Sequence, residues 1–87
     1  MRLFEEIMAQ LDADGGEGGG ALYVVAEGRG GYFENVKDLG AFSSQEVCLI
    51  VKKGKLRVCG KNLRVDKYRE GDVLLHGEIL SVAREEN

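Results

Sequence analysis

A glycine-punctuated repeat constrains the fold of this 87-residue chain more than any other feature. Segment 54–65, GKLRVCGKNLRV, can be laid on segment 71–82, GDVLLHGEILSV, at an offset of 17 residues. Both copies place glycine at positions one and seven and apolar residues at positions three, five, ten and twelve. Apolar alternation is typical of strands, and glycine at a change of parity predicts a bulge, corner or reversal. The repeat therefore predicts equivalent strands in a small antiparallel β-sandwich or barrel, with a short solenoid as the weaker alternative.

The apolar residues before this domain have helical rather than alternating spacing. Residues 1–14 predict a short amphipathic α-helix, whose apolar stripe consists of Leu3, Phe4, Ile7, Met8 and Leu11. Residues 15–20 are glycine except for Glu17, which predicts a flexible linker. The alternating pattern then predicts a single mainly β domain over residues 21–84. Because so short a helix is marginal alone, we expect it to dock on this domain, a second copy or a partner.

The clearest local element is a β-hairpin over residues 47–59. Lys53 and Gly54 are predicted to form its two-residue turn, since glycine tolerates positive φ. Two faces follow from the alternation, and the buried one carries Leu49, Val51, Leu56 and Val58. The predicted partners across the hairpin are Val51 with Leu56, Leu49 with Val58, and Cys48 with Cys59. Other predicted strands are 22–26, 32–36 and 41–42, with a turn at 37–40 and a loop at 43–46.

Charge is distributed unevenly along the chain, although the net charge is only −3. Segment 52–69 holds eight basic residues against Asp66, giving +7, and the remainder carries −10. Such a division can steer a partner or orient self-association. Nucleic-acid binding is the runner-up interpretation, weakened because Tyr68 is the only aromatic residue in this segment and the whole chain is acidic. The predicted interaction face consists of Lys52, Lys55, Arg57, Lys61 and Arg64.

Few residues of this chain could carry chemistry. Cys48, Cys59 and His76 are three soft ligands without a CxxC spacing or an obvious fourth, so we expect no metal or other cofactor. A redox-sensitive pair of cysteines is an open alternative. A Cys–His nucleophile pair would lack an orienting group, and Glu85 with Glu86 is interpreted as a solvated charge pair. The chain is therefore predicted not to be an enzyme.

The sequence also predicts where the protein resides. No apolar run approaches the roughly 18 residues of a membrane span. Glu5, Glu6 and Asp12 interrupt the stretch where a signal peptide would need an uncharged core. We therefore expect a cytoplasmic protein whose two cysteines are reduced thiols.

The ordered glycines and apolar residues between about residues 29 and 83 resemble the YabP/YqfC family of sporulation proteins. That family has the pattern G-x-L-x-I-x-G-x-x-L-x-I followed by G-x-I-type strands. The matching positions here are Asn35, Val36, Phe42, Val47, Leu49, residues 54–65, Gly71, Asp72, Val73, Gly77, Ile79 and Val82. The N-terminal helix and its linker are not part of this pattern.

The resemblance implies a role in endospore formation in Gram-positive bacteria, on the mother-cell side. Members of the family are small, are not known as enzymes, and often accompany a membrane protein encoded by a neighbouring gene. Our leading hypothesis is therefore a non-enzymatic binding or assembly module, either peripheral to the membrane beside an integral membrane protein or forming a homo-oligomer. The alternatives are a small nucleic-acid-binding β-barrel that uses the basic strand face, and a metal- or thiol-linked regulator.

Overall fold

A computed structural model of the chain describes residues 6–7, 9–10 and 21–86. Residues 6–7 and 9–10 have helical backbone. The rest of the predicted N-terminal helix, and the whole of the predicted linker at residues 15–20, lie outside the described residues. Both of these elements therefore stay predictions.

Six strands make up the domain, and all of them are antiparallel to their neighbours in one sheet. The order across the sheet is β1-β2-β6-β5-β4-β3. This confirms the mainly β class, but the predicted sandwich or barrel is not confirmed, because the strands form one sheet with β1 and β3 at its ends. The strands are β1 Leu22–Ala26, β2 Gly30–Glu34, β3 Asp38–Phe42, β4 Glu46–Val51, β5 Gly54–Arg69 and β6 Asp72–Glu86.

The long hairpin of β5 and β6 forms the spine of the sheet. β5 has 16 residues and β6 has 15, and together they contain both copies of the repeat. β4 pairs with the first part of β5, whereas β2 pairs with the first part of β6. Because β5 and β6 run antiparallel, these two strands flank opposite ends of the spine. The sheet thus has two halves, joined through the middle of β5 and β6.

Glycines in the middle of the spine allow the two long strands to approach closely. A Cβ atom on Gly60 would overlap the carbonyl oxygen of Glu78. A Cβ on Gly77, whose φ is +123°, would lie 2.5 Å from the carbonyl oxygen of Asn62. The pairing register shifts beside both glycines, so the predicted irregularity is confirmed at both breaks, but in β6 the alternation that buries Val73 and Leu75 continues across Gly77 to the buried Ile79.

One hydrophobic core serves both halves of the sheet. It is completed at one end by the β2–β3 connection, where Val36 N–H donates to the Gly71 carbonyl (2.9 Å) and Lys37 N–H donates to the Ile50 carbonyl (2.7 Å). In both halves, the same side of the sheet therefore faces this core. We call the opposite side of the sheet the outer face. The buried residues are Phe33, Val36, Val47, Leu49, Val51, Leu56, Val58, Leu63, Val73, Leu75 and Ile79.

The two copies of the repeat are not equivalent in their second halves. Leu63 is buried, but its predicted counterpart Leu80 is 60% exposed, and Ile79 is buried instead. The reason is a register shift that leaves Leu80 without a partner, since Cys59 pairs with Ser81 while Gly60 pairs with Ile79. In β6 the alternation of buried and exposed residues therefore changes phase after Ile79 and not at the glycine. The two copies of the repeat are not equivalent there, contrary to the prediction.

The β4–β5 hairpin has the predicted faces but a different register. Its turn consists of Lys52 and Lys53, and Lys53 has a φ of 62°. Gly54 is already in β5, where a Cβ would overlap the carbonyl oxygen of Glu85. A shift of two residues preserves the alternation, which is why the face assignment survived the wrong register. The observed partners are Val51 with Gly54, Leu49 with Leu56, and Val47 with Val58.

The earlier strands were predicted less completely. β1 has its predicted bounds, whereas β2 begins at Gly30 and ends at Glu34, two residues before the prediction. β3 spans Asp38–Phe42, so the turn predicted over residues 37–40 is wrong. Leu39 explains this strand, because it pairs with Leu49 and packs against the core.

Candidate functional site

The five cations of the predicted interaction face do not form one continuous surface. Lys55 and Arg57 lie on the outer face where β5 runs between β4 and β6. Lys61 is exposed where the β5–β6 register shifts beside Gly60 and Gly77, which we call the bend, and Arg64 is exposed beyond it, opposite His76. Lys52 lies in the β4–β5 turn, where its carbonyl accepts a hydrogen bond from Arg84 Nη2 at 2.8 Å.

Arg57 lies at the centre of a salt-bridge network across three strands. Its Nε and Nη2 atoms contact the two carboxylate oxygens of Glu85 on β6, at 2.9 and 3.1 Å. Its Nη1 atom lies 3.0 Å from Oε2 of Glu46 on β4. Lys55 Nζ is 3.7 Å from Glu85 Oε1, so this group contains two cations and two anions. The central part of the predicted basic face is therefore electrically balanced.

The network shifts the pKa values of Arg57 and Glu85. The hydrogen bond from Arg57 holds the pKa of the Glu85 carboxyl below its ordinary value of 4.5. The hydrogen bond to Glu85, followed by the charge of Glu46, raises the pKa of the Arg57 guanidinium. Both shifts favour the charged forms, so Arg57 and Glu85 stay ionised at neutral pH.

Glu46 and Glu85 are the residues that sequence reasoning missed. Glu85 was interpreted as a solvated charge pair with Glu86, and that interpretation is wrong because Glu85 forms a salt bridge with Arg57 and accepts a hydrogen bond from its Nη2. Glu46 was predicted in a loop, but it begins β4. The strand register was the missing signal, since the diagonal neighbours of Arg57 follow from it directly.

Lys61 and Arg64 differ from Lys55 and Arg57 in their electrostatic surroundings. Both are exposed, and neither forms a salt bridge with any of the described residues. Lys61 is paired in register with Glu78, and Arg64 with His76. His76 itself lies 3.3 Å from an Asp66 carboxylate oxygen, between Nε2 and Oδ2. Within the predicted face, the cations without a salt bridge to the described residues are thus Lys61 and Arg64 around the bend and Lys52 in the β4–β5 turn.

An open groove of about 530 Å³ lies on the outer face next to the Arg57 network. Arg57 and Glu46 line its polar side, while Phe42, which is 60% exposed, and Ile50 line its apolar side. A Cβ on Gly40 would lie 3.1 Å from the Cys48 sulfur, so the groove's edge is closely packed. The complete lining is Gly40, Ala41, Phe42, Ser43, Glu46, Cys48, Ile50, Lys55 and Arg57.

The soft ligands do not converge as the sequence suggested. Cys48 pairs with Arg57 and Cys59 pairs with Glu46, so the two thiols are not directly opposite each other. Both cysteines are free and half-buried. Among residues 6–7, 9–10 and 21–86 there is no group of three or more His, Cys, Asp or Glu side chains placed to hold a metal ion.

The described part of the chain contains no helix long and apolar enough to cross a membrane. Its fold and surface define a small β protein built from one bent antiparallel sheet. A comparison with protein-family models matches residues 23–87, about three quarters of the chain, to the YabP family. The chain therefore belongs to the YabP family and is sporulation-related, as its resemblance to that family implied. Searches of curated proteins and of solved structures found no match.

Proposed function

We propose that this chain is a non-enzymatic module of sporulation that binds a membrane-associated protein on the cytoplasmic side of the mother cell. The observation that carries the proposal is the match to the YabP family over residues 23–87. The surface chemistry is compatible with binding, since the described residues offer exposed cations and an open groove on the outer face. The proposed binding role does not require any residue to catalyse a reaction.

The contact surface of this proposal centres on Lys61 and Arg64. A cation that already has a close acidic neighbour gains little binding energy from a second one. An exposed cation without such a neighbour can attract an acidic surface. Arg57 is held by Glu46 and Glu85, so its role here is to join strands. The acidic surface of the partner then meets the bend of the sheet.

Sporulation itself is tested by complementation. A spore-forming host that lacks its own YabP-family gene receives either this chain or an empty vector. We expect the chain to restore the count of heat-resistant spores, provided that it engages the host's partner. A spore count no higher with this chain than with the empty vector would contradict the proposed sporulation role.

The contact surface is tested by charge reversal. We expect a Lys61→Glu, Arg64→Glu double variant to lose capture of a membrane protein from the solubilised membranes of sporulating cells. The matched control, Lys67→Glu with Arg69→Glu, makes the same change in net charge nearer the tip of the spine. Both variants should keep the wild-type melting temperature, because all four side chains are exposed. Equal loss of capture in the two variants would contradict a contact centred on the bend.

Nucleic acid is the second candidate, and one observation speaks for it. Lys67 and Arg69 lie beside Tyr32, which is 38% exposed, so cations and an aromatic ring share one surface. Glu70 and Asp72 line the same surface and would repel phosphates. We therefore expect no change in the fluorescence anisotropy of a labelled single-stranded oligonucleotide at low salt. Binding with a steep salt dependence would favour this candidate over the protein partner.

A further inference from the structure

The strand β1 ends the sheet with an unusually unprotected edge. It pairs with β2 on one side, and none of the described strands pairs with its other side. Tyr23, Val24 and Val25 are 45%, 42% and 37% exposed, although they belong to a strand. The sequence of β1, LYVVA, contains no charged residue and no proline. Proteins normally protect an exposed edge with such residues, because it is a template for pairing with another strand.

The opposite edge of the sheet has the protection that β1 lacks. β3 begins with the exposed and charged Asp38. Its register shifts between Leu39 and Phe42, which interrupts the row of backbone groups at that edge. The contrast shows that one edge of this small sheet is blocked while the other is left open for pairing.

Backbone hydrogen bonds indicate which groups of β1 point outward. In the β1–β2 turn, the Ala26 carbonyl accepts from Arg29 N–H at 3.0 Å, and the Arg29 carbonyl accepts from Gly77 N–H of β6 at 3.1 Å. Because successive residues of a strand point to opposite sides, the even-numbered residues of β1 face β2. Tyr23 and Val25 therefore direct their N–H and C=O groups away from the sheet.

We propose that this edge binds β1 of a second copy of the same chain, antiparallel and about a two-fold axis at Val24. Tyr23 would then exchange backbone hydrogen bonds with Val25 of the second copy, and Val25 with the other Tyr23. Leu22 faces Ala26 of the second copy, so the strand is complementary to itself. No like charges meet, since Glu27 falls opposite Ala21. The sheet would continue through both molecules.

Side chains next to β1 are arranged to be covered by such a pairing. On the inner side, Tyr23 stacks on the buried Phe33, with ring centroids 5.3 Å apart, which fixes its orientation. On the outer side, Val24, Tyr32 and Leu74 line an apolar hollow of about 210 Å³. A second copy places its own Val24 beside this hollow. This proposal concerns self-association and does not depend on the proposed function in sporulation.

The oligomeric state of the purified full chain tests the proposal. We expect sedimentation velocity to show a concentration-dependent dimer. Val25→Pro removes an outward N–H and leaves the hydrogen bonds to β2 intact, so the dimer should weaken at least about tenfold. Val24→Lys, which opposes two like charges at the axis, should do the same. The matched control is Leu80→Lys, at a more exposed apolar residue of β6 that should not affect the dimer. A wild-type chain that stays monomeric, or a dimer equally weakened by the control, would overturn the proposal.

The register is tested by cysteine cross-linking in a variant with both native cysteines changed to alanine. Residues on the two-fold axis of a non-hydrogen-bonded pair have Cα atoms about 4.5 Å apart, within disulfide range. We expect Val24→Cys to form a disulfide-linked dimer under mild oxidation, and Val25→Cys to form much less. Equal cross-linking at both positions, or none at Val24, would overturn the two-fold arrangement. Circular dichroism confirms that each variant is folded before it is compared.

Discussion

At the scale of single residues, Arg57 has the most consequential environment on the outer face. Its guanidinium joins β5 to β4 through Glu46 and to β6 through Glu85. An isolated surface ion pair contributes little to stability, because water screens it and two side chains lose freedom. Arg57 makes more than one such contact, because its Nη2 donates a hydrogen bond to Glu85 while its charge also lies beside Glu46, and a network of charges is worth more than a single pair. We therefore expect Arg57 to contribute to stability through this network more than an ordinary surface cation.

The lowered pKa of Glu85 predicts a pH dependence of stability. A carboxyl whose pKa is lower in the folded than in the unfolded state stabilises the fold fully above its unfolded value, and this contribution is lost as the pH falls through the folded value. We expect the wild-type free energy of unfolding to fall below about pH 4.5 by more than that of Glu85→Gln. Urea titrations at neutral and acidic pH measure the difference.

The control for this pH dependence is Glu78→Gln. Glu78 is exposed on the same strand and forms no salt bridge with the described residues. Its variant should keep the acid dependence of the wild type. If Glu85→Gln kept it as well, the Arg57 network would not account for the acid sensitivity.

At the scale of elements, the bend of β5 and β6 gives similar sequences different burial. The two copies agree in their first halves, where Leu56, Val58, Val73 and Leu75 are all buried. They diverge where β6 carries one unpaired residue opposite the junction of Cys59 and Gly60. A bulge of this kind bends one strand and not its partner. Side chains at equivalent positions of the two repeat copies therefore point in different directions.

This divergence predicts unequal costs for the same substitution. Leu63→Ala should lower the free energy of unfolding by about 2–5 kcal/mol, because it leaves a cavity in the core. Leu80→Ala should change it by less than about 0.5 kcal/mol, because Leu80 is exposed. The two variants serve as controls for each other in urea unfolding. Equal costs would mean that the repeat, and not the bulge, sets the burial of these positions.

At the scale of the whole molecule, the core of the described residues lies in the β domain. The buried apolar side chains of the described residues all lie between Phe33 and Ile79. Ile7, on the predicted apolar stripe of the N-terminal helix, is 47% exposed. Hydrogen bonds between β2–β3 residues and both Gly71 and Ile50 join the two halves of the sheet. We therefore expect the sheet to fold without the first 20 residues.

Truncation tests this independence. We expect a chain that begins at residue 21 to unfold in urea with a free energy within about 0.5 kcal/mol of the full chain. The dependence on denaturant should also stay the same, since it reports the surface exposed on unfolding. A loss of more than about 2 kcal/mol would show that the N-terminal helix packs on its own domain.

Much of the fold and part of the candidate site followed from local pattern. Alternation placed Leu49 and Val58 in the core and Arg57 on the opposite face, and a two-residue error in register changed neither. The turn at residues 37–40 was wrong because Leu39 is a strand residue through its contact with the core. The strand propensity of a few residues carries no information about a contact with a distant part of the chain. The salt-bridge partners of Arg57 were missed for the same reason.

The sequence by itself determined the β class, the glycine breaks, the buried faces and the membership of the YabP family, since each depends on spacing along the chain. Only the tertiary structure decided that the repeats share one open sheet, that Leu80 faces solvent, and that β1 and not β3 is the unprotected edge. The physical reason is that register, bulges and edges are properties of strand pairs. Register, bulges and edges depend on the packing of residues that are far apart in the chain. The alternation within any one strand is compatible with several registers and bulge positions.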